Sequence, residues 1–209
     1  MRLRRAVPAA LVALAALATP TSAEELRIAI EGGWYDWTNA KNSAKAVFDK
    51  SGGPVGGLSL EYGFSRSLFG RAGVRFNRMT GERAFVAAPG QPAFRLGHEL
   101  TAELIPVYGM VGLRFGSGRS MSPYVGIGGG ITSYSEESEV AGETFSTSKT
   151  AGMGLAAVGI DFGSGRIRFG AEGTYAMAPG TIGDEGVSQV YDEDDVGGFS
   201  VLGRVTIAF

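Results

Sequence analysis

Apolar and polar residues alternate with a period of two through most of this chain, and the alternation restarts often enough to predict eight strands. Side chains on a strand point to opposite faces in turn, so each such row reads as one greasy and one wetter face. Leu26, Ile28, Ile30, Gly32 and Trp34 stand against Arg27, Ala29 and Glu31 in the first strand, and Leu58, Leu60, Tyr62 and Phe64 against Ser59, Glu61 and Gly63 in the second. The third sets Leu68, Gly70, Ala72, Val74 and Phe76 against Arg71, Gly73, Arg75 and Asn77. In the fourth, Ile105, Val107, Gly109, Val111, Leu113 and Phe115 oppose Tyr108, Met110 and Arg114. Glycine-rich fifth and sixth strands are expected at about 122–134 and 151–162, with Val125, Ile127 and Ile131, then Val158, Ile160 and Phe162, on their apolar faces. The seventh sets Ile167, Phe169, Ala171, Gly173 and Tyr175 against Arg168, Glu172 and Thr174, and the eighth sets Val201, Gly203, Val205, Ile207 and Phe209 against Ser200, Leu202, Arg204, Thr206 and Ala208.

The connections alternate in length. Ser65-Arg66-Ser67, the segment opening Gly116-Ser117-Gly118-Arg119, and Gly163-Ser164-Gly165-Arg166 read as tight turns. The other four, at roughly 36–55, 78–99, 134–150 and 177–197, read as long polar loops. A partial repeat joins the two patterns: Val111-Gly112-Leu113-Arg114-Phe115-Gly116-Ser117-Gly118-Arg119 returns 47 residues later as Val158-Gly159-Ile160-Asp161-Phe162-Gly163-Ser164-Gly165-Arg166. Each copy is the short-turn end of one hairpin, and its phenylalanine falls where an interfacial aromatic girdle would sit. Trp34, Tyr35 and Trp37 are expected in the girdle at the other end.

Both ends of the chain change the picture. Arg2, Arg4 and Arg5 precede an apolar stretch of 13 residues and a small-residue exit at Thr21-Ser22-Ala23, so residues 1–23 read as a cleaved secretory signal peptide. A membrane-crossing helix needs about 20 apolar residues. At the other end the last residue, Phe209, still belongs to an apolar strand row, whereas a free terminus usually frays into a polar tail. Alternation in eight rows, short turns on one side, long loops on the other and a final aromatic resemble the small outer membrane protein β-barrel domain family, the group around the transmembrane domains of OmpA, OmpX and OmpW. The resemblance covers residues 24–209. It implies an all-β fold, a closed eight-stranded antiparallel up-and-down transmembrane β-barrel in the bacterial outer membrane, with the short turns in the periplasm. It also implies bilayer lipid and lipopolysaccharide as surroundings, the barrel assembly machinery as a partner during insertion, Phe209 as the insertion signal, and a monomer.

Composition narrows the chemistry. Without the leader the chain keeps 16 Lys and Arg against 21 Asp and Glu, a net charge of about −5, which disfavours nucleic-acid binding. The absence of cysteine excludes a disulfide framework and thiolate metal sites. Glycine supplies 34 of 209 residues, more than twice the usual ~7%, which disfavours helices and suits a tightly curved sheet. Glu31, Glu61, Arg71, Arg75, Arg114, Asp161, Arg168, Glu172 and Arg204 all fall on the face opposite the apolar row. An eight-stranded barrel is only wide enough inside for side chains to fill it, so these nine are expected to form ion pairs in the lumen. Unpaired, each buried charge would cost several kcal/mol. A selectivity lining for a pore is the alternative.

Other motifs carry less. Gly152-Met153-Gly154-Leu155-Ala156-Ala157 matches a relaxed dinucleotide fingerprint, but that chemistry needs a strand, a turn and a helix N-terminus, and more strand follows here. Asp192-Glu193-Asp194-Asp195-Val196-Gly197 has a valine in a calcium-ligand slot and reads as a solvated acidic loop, with weak divalent bridging to lipopolysaccharide phosphates as the alternative. His98 is the single histidine and has no serine two residues on, which argues against the acyl chemistry of barrel-shaped lipid A deacylases and palmitoyl transferases. No enzyme activity and no cofactor are expected. The expected role is structural or surface-interacting. A narrow conduit for small hydrophobic molecules, a lipid A-modifying enzyme and a soluble lipocalin-like barrel are the competing readings, the last because alternation alone does not say which face is outside.

Overall fold

The computed structural model of the protein describes residues 25–116, 120–140, 142–163 and 165–209. The expected leader, residues 1–23, lies outside them, as do Ser117-Gly118-Arg119 and Ser164 of two expected turns. Eight strands follow one another: β1 Glu25–Asp36, β2 Gly52–Gly63, β3 Leu68–Phe85, β4 Phe94–Arg114, β5 Met121–Val140, β6 Glu143–Phe162, β7 Ile167–Met177 and β8 Gly198–Ala208. Every neighbour in sequence pairs antiparallel, and β1 closes on β8 from Arg27–Ala208 to Asp36–Phe199, so the sheet is a closed up-and-down barrel. Closure removes the edge strands that an open sheet would leave exposed.

The phase of the alternation is the expected one. Ile30, Val111, Ile127, Val158, Phe169 and Val201 point outward and are more than half exposed, while the charged row points in. A fold with its greasy side out and its arginines buried is built for hydrocarbon, not water, which sets the soluble lipocalin-like alternative aside. Inside, two glycines are required by close approach. A Cβ at Gly73 would meet the Tyr108 ring at 2.6 Å, and one at Gly159 would meet the Tyr124 ring at 2.4 Å. These two positions make room for the two tyrosines that fill the mid-barrel.

Two of the four expected loops are mostly strand. β3 and β4 run to Phe85 and back from Phe94, and β5 and β6 run to Val140 and back from Glu143. A tilted membrane strand needs about 9–11 residues, and these four have 18, 21, 20 and 20. Roughly ten surplus residues at ~3.3 Å each and a tilt near 40° lift this half of the wall about 25 Å above the bilayer. The rows at 78–99 and 134–150 read as loops because water lies on both sides there, so nothing enforces a greasy face. The other two connections hold short helices: a 3-10 turn at Thr38–Ala40 followed by α1 at Lys41–Phe48, and α2 at Gly186–Tyr191.

α1 folds over the mouth of the barrel. Its Ala44 and Phe48, one turn apart, pack with Trp37, Met79, Leu104, Tyr134 and Val196 into an apolar cap above the lumen. Trp37 is therefore not in the interfacial girdle: it is 2% exposed and edge-on to Phe48 and Tyr134 at 5.7 and 5.9 Å. Trp34 does face outward at the interface, and Tyr35 turns inward to donate to the Val196 carbonyl at 3.1 Å. The helix ends on Asp49 at φ 61°, whose N–H closes on the Lys45 carbonyl.

Candidate functional site

Inside the barrel, parity brings eight of the nine expected charges together. Glu61 on β2 accepts from Arg71 at 2.8 and 3.2 Å and from Arg114 at 2.8 Å. Glu31 on β1 accepts from Arg75 at 3.0 Å, Arg204 at 3.3 Å and Ser59 at 2.7 Å. Glu172 on β7 takes Arg75 at 2.7 Å, the Tyr124 hydroxyl at 2.7 Å and a close contact from Arg71. Asp161 on β6 accepts from Arg114 at 3.0 Å and lies 3.7 Å from Arg204. All eight side chains are buried.

Arg168 is the exception. It sits at the short-turn rim, pairs with Glu25 at 3.1 Å and stays outside the central network, because it is the second residue of β7 and the lumen there opens to water. Its place in the centre is taken by Arg27, which shares the inward parity of Glu31 and reaches Glu61 at 3.3 Å and Asp161 at 3.8 Å. The charge pattern also gives no notice of Tyr124. Its hydroxyl accepts from Arg204 at 2.7 Å while its ring lies 5.0 Å from the Arg71 guanidinium and 5.7 Å from those of Arg114 and Arg204. Tyr108 carries Arg75 in the same way at 4.9 Å. Aromatic faces attract cations once water is excluded, so the two tyrosines help hold four of the five central arginines beside four carboxylates.

Above the network and below the cap lies a void of ≈30 Å³, lined largely by apolar side chains including Val55, Leu104, Met153 and Leu155. That is room for about one water. The lumen is thus closed twice, by ion pairs at mid-height and by the apolar cap at the mouth.

Beyond the cap lies a cup. The tall β3–β6 wall, α1 and the β7–β8 connection enclose ≈400 Å³ that opens outward, with Trp37, Phe48, Leu100 and Tyr134 at its base and Phe145 on its rim. The connections around it are bolted together. Glu193 accepts from the Asn42 and Ser43 amides at 3.0 and 2.8 Å, capping the start of α1 where the helix dipole favours a carboxylate. Asp195 accepts from Ala178 N–H at 2.7 Å, Gly197 N–H at 2.6 Å and the Asn39 amide at 2.8 Å. The acidic run 192–197 is therefore a fastening between the first and last connections and not a freely solvated loop. Among the described residues no group of three His, Cys, Asp or Glu is placed to hold a metal ion. His98 lies within β4 with no hydrogen bond to a serine or carboxylate among the described residues, and Gly152-Met153-Gly154 lies within β6. Phe209 is 68% exposed at the short-turn end, its N–H donating to the Leu26 carbonyl at 2.9 Å.

A barrel with an outward apolar band, tight turns at one end and a raised wall at the other is an outer-membrane protein in form. The chain belongs to the outer membrane protein beta-barrel domain family, whose model matches residues 8–201. Among solved structures it is similar to a major outer membrane protein from Thermus thermophilus, at 11% identity and a TM-score of 0.57 over 90% of this chain and 100% of that one. It is also similar to neisserial surface protein A, at 12% identity and a TM-score of 0.50 over 88% and 97% of the two chains. The attachment invasion locus protein Ail of Yersinia pestis, solved with the heparin analogue sucrose octasulfate, matches at 14% identity and a TM-score of 0.50 over 90% and 100%. At such identities the likeness is one of fold. No curated protein sequence matches this chain.

Proposed function

We propose that this protein is a non-conducting, non-catalytic barrel whose role lies in the assembly it holds above the membrane, a platform for surface interactions. The doubly closed lumen carries this reading. A conduit for hydrophobic molecules would need an apolar lumen or a lateral opening, and here the mid-barrel is charged and the β1–β8 seam is paired along its length. An acyl-transfer enzyme would need a base with a partner, and His98 has none among the described residues.

The platform is acidic. The extracellular stretches 36–52, 78–103, 133–150 and 178–197 carry seven Lys and Arg against fifteen Asp and Glu. A polyanion such as the one held by Ail would meet repulsion here, so the reading favours cationic partners. In planar bilayers the purified protein should give no stable open-channel current. Long-lived conductance steps that scale with inserted protein would overturn the reading.

Bilayer lipid and lipopolysaccharide around the apolar band, and the assembly machinery during insertion, complete the proposed partners. Phe209 ends the outward row of β8 beside Ile207, and we assign it a part in insertion. Replacing it by Asp should lower the amount of protein recovered in the outer membrane and raise the amount degraded in the periplasm, as cell fractionation with immunoblotting would read. Recovery equal to wild type removes Phe209 from that role.

A further inference from the structure

We propose that the extracellular cup is a binding site for a small organic cation with an apolar or aromatic body, held by Glu136 and Glu185 and by the aromatic base. The proposal rests on the platform reading above and names the place and the ligand class. Three observations lead to it. The cup's ≈400 Å³ lies in the ~300–1,000 Å³ range of small-molecule sites, and the apolar cap makes it a dead end and not the entrance to a channel.

Its base and rim are aromatic while its two carboxylates keep free oxygens. Trp37, Phe48, Tyr134 and Phe145 supply apolar faces, and Phe145 is 51% exposed on the rim, a position without reward in water alone. Among the described residues Glu136 has one partner, the Tyr134 hydroxyl, and the Glu185 carboxylate has none. Burial, and after it the Glu136 charge, push the Tyr134 phenol well above its ordinary pKa, so it stays a neutral donor that orients the carboxylate. The second oxygen of Glu136 is left for an incoming donor, and charged hydrogen bonds of that kind are the stronger ones.

The third observation is the field. The two cup carboxylates face a single cup cation, Arg83, and the surrounding connections carry more than twice as many acidic as basic residues. Such a surface concentrates cations at the mouth and repels anions, and aromatic faces add cation–π attraction to an ammonium already inside.

The test uses the full barrel in nanodiscs and titration calorimetry with three isosteric probes: 2-(1-naphthyl)ethylammonium, the corresponding neutral alcohol and the corresponding carboxylate. The ammonium should bind saturably at one site, about tenfold tighter than the alcohol, the scale of one charge-assisted contact, and the carboxylate should not bind. Glu136→Gln should weaken the ammonium about tenfold. Phe145→Ala, on the exposed rim where folding is not at stake, should weaken ammonium and alcohol alike. Arg83→Gln should leave the ammonium as tight or tighter. Equal binding of all three probes, preference for the carboxylate, loss of ammonium binding in Arg83→Gln, an unchanged Glu136→Gln variant or absence of saturable binding would each overturn the proposal. A variant counts only if it keeps the shifted mobility of a folded barrel on an unheated gel. No probe binding with silent bilayers sinks the cup alone, whereas open-channel currents sink the platform reading whatever the probes do.

Discussion

Glu172→Leu should cost about 3–5 kcal/mol of unfolding free energy, the scale for removing one partner of a buried ion pair. The carboxylate accepts from Arg75, Arg71 and Tyr124, and its side chain is completely buried. Leucine fills much of the volume but leaves the Arg71 and Arg75 guanidinium groups without that carboxylate among side chains that are themselves buried. Most of the loss is the stranded positive charge, since five central arginines would then share three carboxylates. Glu172→Gln should cost less, because an amide oxygen still accepts from one arginine. The rim supplies the contrast. Glu25, a third exposed, pairs with Arg168 and with Arg27 where water competes, Arg27 keeps Glu61 and Asp161 when it is lost, and Glu25→Gln should stay within about 1 kcal/mol of wild type. Reversible urea unfolding in lipid vesicles reads all three. A Glu172→Leu cost no larger than that of Glu25→Gln would mean that water fills the lumen and the plug is not dry.

The same contrast shows what the chain discloses before it folds. Parity is local information, so Glu31, Glu61, Arg71 and Glu172 declare themselves as one face from alternation alone, and closing eight strands leaves that face nowhere to go but inward. Arg27 obeys the same parity and belongs with them; Glu25 offers it a local partner and the β1–β2 register sets it opposite Glu61, and only the closed barrel shows that it reaches Asp161 on β6 as well. Tyr108 and Tyr124 share the wet face too, yet a tyrosine pattern does not say that its hydroxyl and ring will serve arginines from three other strands. Arg168 fails the other way. Its parity is right but its depth is wrong, and depth is set by where the bilayer ends, which alternation does not record.

Above the membrane the sequence signal weakens for the same physical reason. Between 78 and 99, and between 134 and 150, a strand flanked by water on both sides needs no greasy face, so the second is written in Ser, Thr and Glu like a loop and the first is broken by Gly, Pro and charged residues. Trp37 looks like a girdle residue next to Trp34, but the turn at Thr38–Ala40 and the helix after it carry it over the mouth and into the cap. The fastening of Glu193 to the start of α1 joins residues 150 positions apart. No spacing within either segment points to the other. The cup is legible only once these long-range contacts exist, which is why a reading built on strands finds the plug and misses the pocket above it.

Ala171→Arg tests the orientation of the barrel directly. Ala171 lies one residue from Glu172 and points the other way, outward between Phe169 and Gly173 and opposite Ile160 on β6, near the middle of β7. A guanidinium there meets hydrocarbon, and the expected cost is about 2–4 kcal/mol, the range for a basic residue at the bilayer midplane of a barrel. Part of that cost can be relieved by snorkelling toward the headgroups, so the figure should fall as the position moves toward an interface. Thr150→Arg provides the depth control: Thr150 is exposed on β6, where the strand has left the apolar band, and the substitution there should change stability by less than about 1 kcal/mol. Both variants are measured by reversible unfolding in vesicles of fixed acyl length, and lengthening the acyl chains should raise the Ala171→Arg cost while leaving Thr150→Arg alone. An Ala171→Arg variant as stable as wild type would mean that the face bearing Phe169, Val158 and Val201 does not meet lipid, and the assignment of inside and outside would fall with it.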